Sequence, residues 1–115
     1  MKIFHNTRCS KSRQTLQLIR DRGVEPEIVE YLKTPPGTDE ILDIVRMLGT
    51  APSALFRTKE ALYRELGLHQ KEITRDESLV ILSENPRLIE RPIVISGQRA
   101  IIGRPPENVL ALFEE

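Results

Sequence analysis

The chain has 115 residues, 39% of them hydrophobic, with 17 Lys and Arg balanced by 17 Asp and Glu; that is one domain's worth of chain and too little for two independent cores. Neutral bulk charge with ordinary apolar content excludes an acidic disordered tail and a broadly basic nucleic-acid surface. No stretch approaches the ~18 apolar residues of a membrane span, and Met1-Lys2-Ile3-Phe4 starts on strand-like sequence without a signal-peptide pattern, so a cytoplasmic protein is expected.

The first element is the short strand-like run Lys2-Ile3-Phe4-His5. Ser10 or Ser12 then offers an N-cap, Leu16, Leu18 and Ile19 give a partial apolar stripe, and Gly23-Val24 reads as a Schellman stop, predicting a helix over about 11–22. Glu27 to Leu32, between Pro26 and Thr34-Pro35-Pro36-Gly37, reads as a second strand, so residues 2–32 form a βαβ unit with parallel strands. Thr38 is a candidate cap for a helix carrying Ile41, Leu42, Ile44, Val45 and Leu48 up to Gly49. Shorter pieces follow around Pro52–Phe56 and Lys59–Leu66, and Thr74-Arg75-Asp76-Glu77 is a capping box for a helix that stops near Asn85 because Pro86 follows. The block over about 38–85 is therefore helical. Ile93–Ser96 and Arg99–Ile102 flank Gly97-Gln98, a pair suited to a type II′ hairpin, and Pro105-Pro106 suits the first turn of a closing helix over 105–114.

Charge placement is more informative than charge total. Residues 1–20 hold Lys2, Arg8, Lys11, Arg13 and Arg20 without an acid, and residues 91–106 hold Arg91, Arg99 and Arg104, again without one. If the hairpin joins the sheet of the first strand, the two segments meet at one end of it and form an anion site with the amides of the first helix; otherwise the arginines are solvated. Cys9, the one cysteine of the chain, sits just before that helix among polar neighbours, a setting that favours thiolate over thiol. One cysteine closes no internal disulfide, and with His5 and His69 it supplies no zinc-site spacing, so redox chemistry at Cys9 requires a thiol from another molecule. His5 either supports the thiolate as a cation, orients the loop, or is a strand-end histidine satisfied by backbone. His69 is expected to face water.

Four collinear segments carry a family resemblance over nearly the whole chain: His5-Asn6-Thr7-Arg8-Cys9-Ser10-Lys11-Ser12-Arg13-Gln14-Thr15-Leu16, Ala54-Leu55-Phe56-Arg57, Glu90-Arg91-Pro92-Ile93-Val94 and Gly103-Arg104-Pro105-Pro106-Glu107. The chain resembles the glutaredoxin-coupled arsenate reductase (ArsC) family, within it the YfgD-like branch, with the Spx regulators as more distant cousins. The resemblance implies one α/β domain with a thioredoxin-like fold, a mixed four-stranded sheet and a helical insertion, and a cis Arg91-Pro92 bond. It implies Cys9 as nucleophile, His5 and Ser12 as residues assisting its reactivity, and Arg57, Arg91 and Arg104 as oxyanion-binding arginines. Arg57 has no distinguishing feature of its own in the sequence.

The implied activity is reduction of arsenate to arsenite, with glutathione as co-substrate, glutaredoxin as partner, no bound cofactor or metal, no nucleic-acid or membrane partner, and a monomeric chain. Two other readings stand beside it. One is a thiol oxidoreductase acting on another oxyanion or a glutathionylated substrate; the other is an Spx-like protein that binds RNA polymerase, although Ser12 occupies the place of the second cysteine of that regulator's redox switch. Many reductases of the family read Cys-Gly-Thr-Ser where this chain has Cys9-Ser10-Lys11-Ser12, and many relatives have proline at the place of Thr7.

Overall fold

The computed structural model describes residues 1–114, which cluster into two compact units, Met1–Thr34 with the chain from Arg91 onward, and Pro35–Glu90. The first unit is an α/β sheet structure. Strand β1 (Lys2–Phe4) leads into helix α1 (Ser10–Asp21) and strand β2 (Glu27–Val29), and the chain returns through the hairpin β3 (Ile93–Ser96) and β4 (Arg99–Ile102) to a closing helix, Pro106–Phe113. The sheet order is β2-β1-β3-β4, with β1 parallel to β2 and antiparallel to β3. This is the mixed four-stranded sheet of the expected fold class.

Successive strand residues point to opposite faces, and both faces are buried, Phe4 and Ile93 on one and Ile3 and Val94 on the other. Ile3 faces Val94 across the β1–β3 ladder, and both are fully buried together with Leu16 and Ile19 of α1 and Val109 and Leu112 of the closing helix. Each large apolar side chain so placed contributes ~1.5–3 kcal/mol before the entropy of ordering is subtracted. The stop of α1 has both Schellman bonds: Gly23 at φ 79° donates to Arg20 O at 2.9 Å, and Val24 donates to Ile19 O at 3.4 Å. In the hairpin Gly97 has positive φ and Gln98 does not, as a type II′ turn requires.

Four local expectations are corrected. Neither Ser10 nor Ser12 caps α1; Cys9 holds the N-cap position, and no side-chain oxygen caps the first turn. Thr38 lies inside the helix rather than before it, with Gly37 at the cap. Strand β2 ends at Val29, because Lys33 and Thr34 both donate to Glu30 O and turn the chain. The closing helix is a 3₁₀ helix, tightened by i to i+3 bonds from Asn108 to Pro105 O and from Glu114 to Ala111 O. Arg99 donates to the carbonyls of Ala111 and Glu114, and the Arg22 guanidinium lies 5.3 Å from the Phe113 ring, so two cations secure its C-terminal end.

The second unit holds helices α2 (Thr38–Leu48), α3 (Ala61–Glu65) and α4 (Arg75–Glu84) with short 3₁₀ turns between them. Ile41, Ile44 and Val45 of α2 and Leu79 and Leu82 of α4 are its buried stripes. Thr74 and Glu77 form the expected reciprocal capping box, and an isolated bridge pairs Phe56 with Ile89. Among the described residues no helix is long and apolar enough to cross a membrane.

One close approach ties the sheet to α1. Both X-Pro bonds at Arg91-Pro92 and Arg104-Pro105 are cis. Gly103, just before Arg104, donates to Pro92 O at 2.8 Å. A Cβ on Gly103 would lie 2.5 Å from Thr15 Oγ1 and 2.8 Å from Pro92 Cγ, and neither neighbour is a flexible chain end that gives way cheaply. Gly103→Ala is therefore expected to lower stability by about 1–3 kcal/mol. A urea midpoint equal to that of the parent protein would show that the seam tolerates a methyl group.

Candidate functional site

The site grows from the turn between β1 and α1. Cys9 N–H donates to Asn6 O at 3.0 Å and Arg13 N–H donates to Cys9 O at 3.0 Å, so the turn passes directly into the helix. Asn6 Oδ1 accepts from Arg8 N–H at 3.0 Å, and Arg13 Nη1 donates to Thr7 O at 2.8 Å. These bonds hold the loop at Thr7 without a proline ring.

Helix α1 differs from the other long helices in its first turn. Asp39 and Glu40 neutralise the start of α2, and Asp76 and Glu77 that of α4, whereas α1 has no acid there and no side-chain cap. Its first amides and its positive dipole end are thus available to an anion. The Cys9 sulfur takes this role. Burial pushes the thiol up, but the N–H groups of Ser12 and Lys11, the Arg91 charge and a hydrogen bond from Arg104 outweigh it and hold Cys9 below its ordinary value. Arg104 Nη1 lies 3.9 Å from Cys9 Sγ and also 3.3 Å from Arg91 O. The departure at Ser10-Lys11 leaves this support intact, because the donors are backbone amides.

The two acid-free segments do meet, since β3 pairs with β1 and delivers Arg91 and Arg104 to the head of α1. Not every cation joins them. Lys2 Nζ lies 3.6 Å from Glu27, Arg20 forks onto Glu25, and Arg99 serves the closing helix.

His5 continues the parallel ladder, donating its N–H to Val29 O at 2.8 Å. Its ring is buried, with Nδ1 2.6 Å from Ser12 Oγ, and Ser12 Oγ also accepts from Asn6 N–H at 3.1 Å. Burial, and then the nearby Arg20 charge, lower its pKa from 6.5, so at neutral pH the ring is uncharged. Burial and Arg20 thus work against a charged His5 ring, while its contact with Ser12 ties the ring to the loop. Ser12, fully buried one turn into α1, joins strand end, loop and helix through one hydroxyl.

Thr15 is a residue the sequence reading passed over. It is fully buried, donates Oγ1–H to Lys11 O at 2.8 Å, and its oxygen lies 3.4 Å from Gly103 O, next to Arg104. Its signal was the Thr-Leu ending of the first motif, but only packing shows what the hydroxyl touches. Arg57 belongs to the helical unit, where its guanidinium lies 3.2 Å from Glu60 Oε2 and donates to Arg87 O at 3.1 Å. His69 is exposed. Among the described residues no group of three or more His, Cys, Asp or Glu is placed to hold a metal ion.

A β2-β1-β3-β4 sheet with a thiol at the head of its first helix and a cis-proline opening the returning strand defines a thioredoxin-like α/β protein. The profile of the ArsC family matches residues 4–112, and the chain belongs to that family. It is 46% identical over 113 residues to the uncharacterized protein YfgD of Escherichia coli K12, covering 97% of this chain and 95% of that protein. It is likewise 46% identical over 114 residues to an arsenate reductase of Neisseria meningitidis, covering 98% and 97% of the two chains. Among solved structures it resembles an arsenate reductase from Vibrio cholerae at a TM-score of 0.92 and 42% identity, covering 97% of this chain and 98% of that one.

Two outcomes follow. Arg91→Ala and Arg104→Ala should each move the Cys9 pKa upward, read as ultraviolet thiolate absorbance against pH; an unmoved titration in both would remove the arginines from the thiolate's support. For His5 the folded state binds fewer protons than the unfolded one once pH falls below about 6.5. Its contribution to stability is then full above that value and lost as pH falls through the lowered folded value. His5→Asn should flatten the loss of unfolding free energy over this acid range, and an unchanged slope would mean that His5 is not its source.

Proposed function

We propose that the protein reduces arsenate to arsenite, using glutathione and glutaredoxin. The observation that carries this reading is the Cys9 sulfur held below its ordinary pKa by the Ser12 and Lys11 amides with Arg91 and Arg104 beside it. A low-pKa thiolate attacks an electrophilic centre, and arginine forks match the oxygens of a tetrahedral oxyanion better than a lysine point charge does. Relatives named arsenate reductase supply the substrate.

The electron count suits a single cysteine. The Cys9 thiolate attacks arsenic(V), an oxygen leaves as water, and a Cys9–S–As bond forms. Glutathione thiolate then attacks the Cys9 sulfur; the S–As bond breaks with its pair remaining on arsenic, which departs as arsenite, arsenic(III). Two thiols have each given one electron to arsenic, and Cys9 is left as a mixed disulfide with glutathione. Glutaredoxin clears it by exchange. Ser12 and neutral His5 orient the loop in this scheme, and Arg57, proposed from the family resemblance, binds arsenate oxygens.

The test is arsenate-dependent NADPH oxidation with glutathione, glutaredoxin and glutathione reductase. Cys9→Ser is expected to abolish the rate. Arg57→Ala is expected to raise the KM for arsenate by about tenfold or more, as for a lost charge-assisted hydrogen bond of ~1.5–3 kcal/mol. No arsenate-dependent rate from the parent protein, with coupling enzymes shown to be active, would overturn the reading.

A further inference from the structure

The one parallel pair of the sheet, β1 and β2, ends at Phe4 and Val29. The segments that follow these two strands lie side by side. Here residues 5–8 and residues 30, 32 and 33 line a cavity of about 230 Å³. Its volume is below the ~300–1,000 Å³ of sites that swallow a whole small molecule, so it suits one end of an extended ligand. The chain runs from one wall of this cavity, Arg8, straight into Cys9.

The lining has a definite charge pattern. Arg8 is exposed, and its guanidinium takes no partner among the described residues. Lys33 Nζ lies 3.5 Å from Glu30 Oε1, with side chains 77% and 45% exposed; such a pair is worth little and exchanges readily for a ligand carboxylate. His5 is neutral, so two cations face one acid. Leu32, 42% exposed, adds an apolar edge. This complements a ligand end with a carboxylate, an optional ammonium and a short aliphatic stem.

We propose that this cavity seats a terminal carboxylate of the thiol co-substrate, with Arg8 and Lys33 as its cations, and so presents the co-substrate's sulfur to Cys9. The assignment rests on the reading of Cys9 as a thiol-dependent nucleophile and adds the site from which the second thiol is delivered. Glutathione has carboxylates at both its γ-glutamyl and glycyl ends, and either matches the lining.

S-methylglutathione, which has no free thiol, is the probe for binding. Titrated into ¹⁵N-labelled protein, it is expected to shift the amides of residues 5–8 and 30–33 saturably. Lys33→Glu should weaken that binding about tenfold, and Lys33→Arg should restore it. γ-Glutamylcysteine and cysteinylglycine, S-methylated in the same way, show which end enters: the dipeptide that keeps the seated end retains the shifts. Shifts confined to other residues, or unaltered by Lys33→Glu, overturn the proposal. Turnover separates it from the broader reading. If the parent protein reduces arsenate but Lys33→Glu leaves the KM for glutathione unchanged, the cavity is wrong and the reductase reading stands. If the parent protein shows no arsenate turnover, the binding titration still decides the cavity by itself.

Discussion

The uncompensated start of α1 is the constraint around which the site is arranged. A helix leaves its first N–H groups without intrahelical partners, and most helices spend them on a capping oxygen or offset their dipole with acids. Helices α2 and α4 carry such acids, and α4 has a full capping box. Helix α1 has neither, and the Cys9 sulfur stands where a capping oxygen would. The amides that would otherwise stabilise the fold instead stabilise negative charge on sulfur, against the cost of burying it. Local stability is given up for negative charge at one atom.

The arginines depend on that atom's surroundings being rigid. Arg91 precedes Pro92 at the mouth of β3 and Arg104 follows Gly103 at the end of β4, so both stand at one end of the hairpin. The seam of Thr15, Pro92 and Gly103 locks that end to the first turns of α1 with no space for a side chain at residue 103. Thr15 is therefore part of the site's frame, although its hydroxyl reaches backbone carbonyls rather than sulfur. His5 and Ser12 perform the matching task on the strand side. The ring is neutral because burial and Arg20 disfavour the proton, and a neutral ring hydrogen-bonded to Ser12 fixes the loop without adding a charge to the core.

Membership in the ArsC family and the geometry around Cys9 bear on different questions. The family places the chain among α/β proteins of one architecture. The geometry says why the Cys9 pKa is lowered: amides and guanidinium groups outweigh burial. The relatives at equal identity include both named arsenate reductases and the uncharacterized YfgD, so relatives alone do not assign the substrate.

The amino-acid sequence by itself determined the elements whose signals are local. Gly23-Val24 ended α1 through its own backbone bonds, Thr74 and Glu77 started α4, and Gly97-Gln98 turned the hairpin. It misjudged Ser10, Ser12 and Thr38 as caps, since several hydroxyls near a helix start compete and only the path of the backbone decides which residue is the last non-helical one. It left the charge of His5 open, because protonation depends on burial and on Arg20, which lies fifteen residues further along the chain. The length of β2, the 3₁₀ winding of the last helix, the meeting of Arg91 and Arg104 at Cys9, and the closeness of Thr15 to Gly103 were decided by tertiary structure alone. Each depends on groups far apart in the chain being brought together, and long-range packing leaves no local signature in the residues that take part in it.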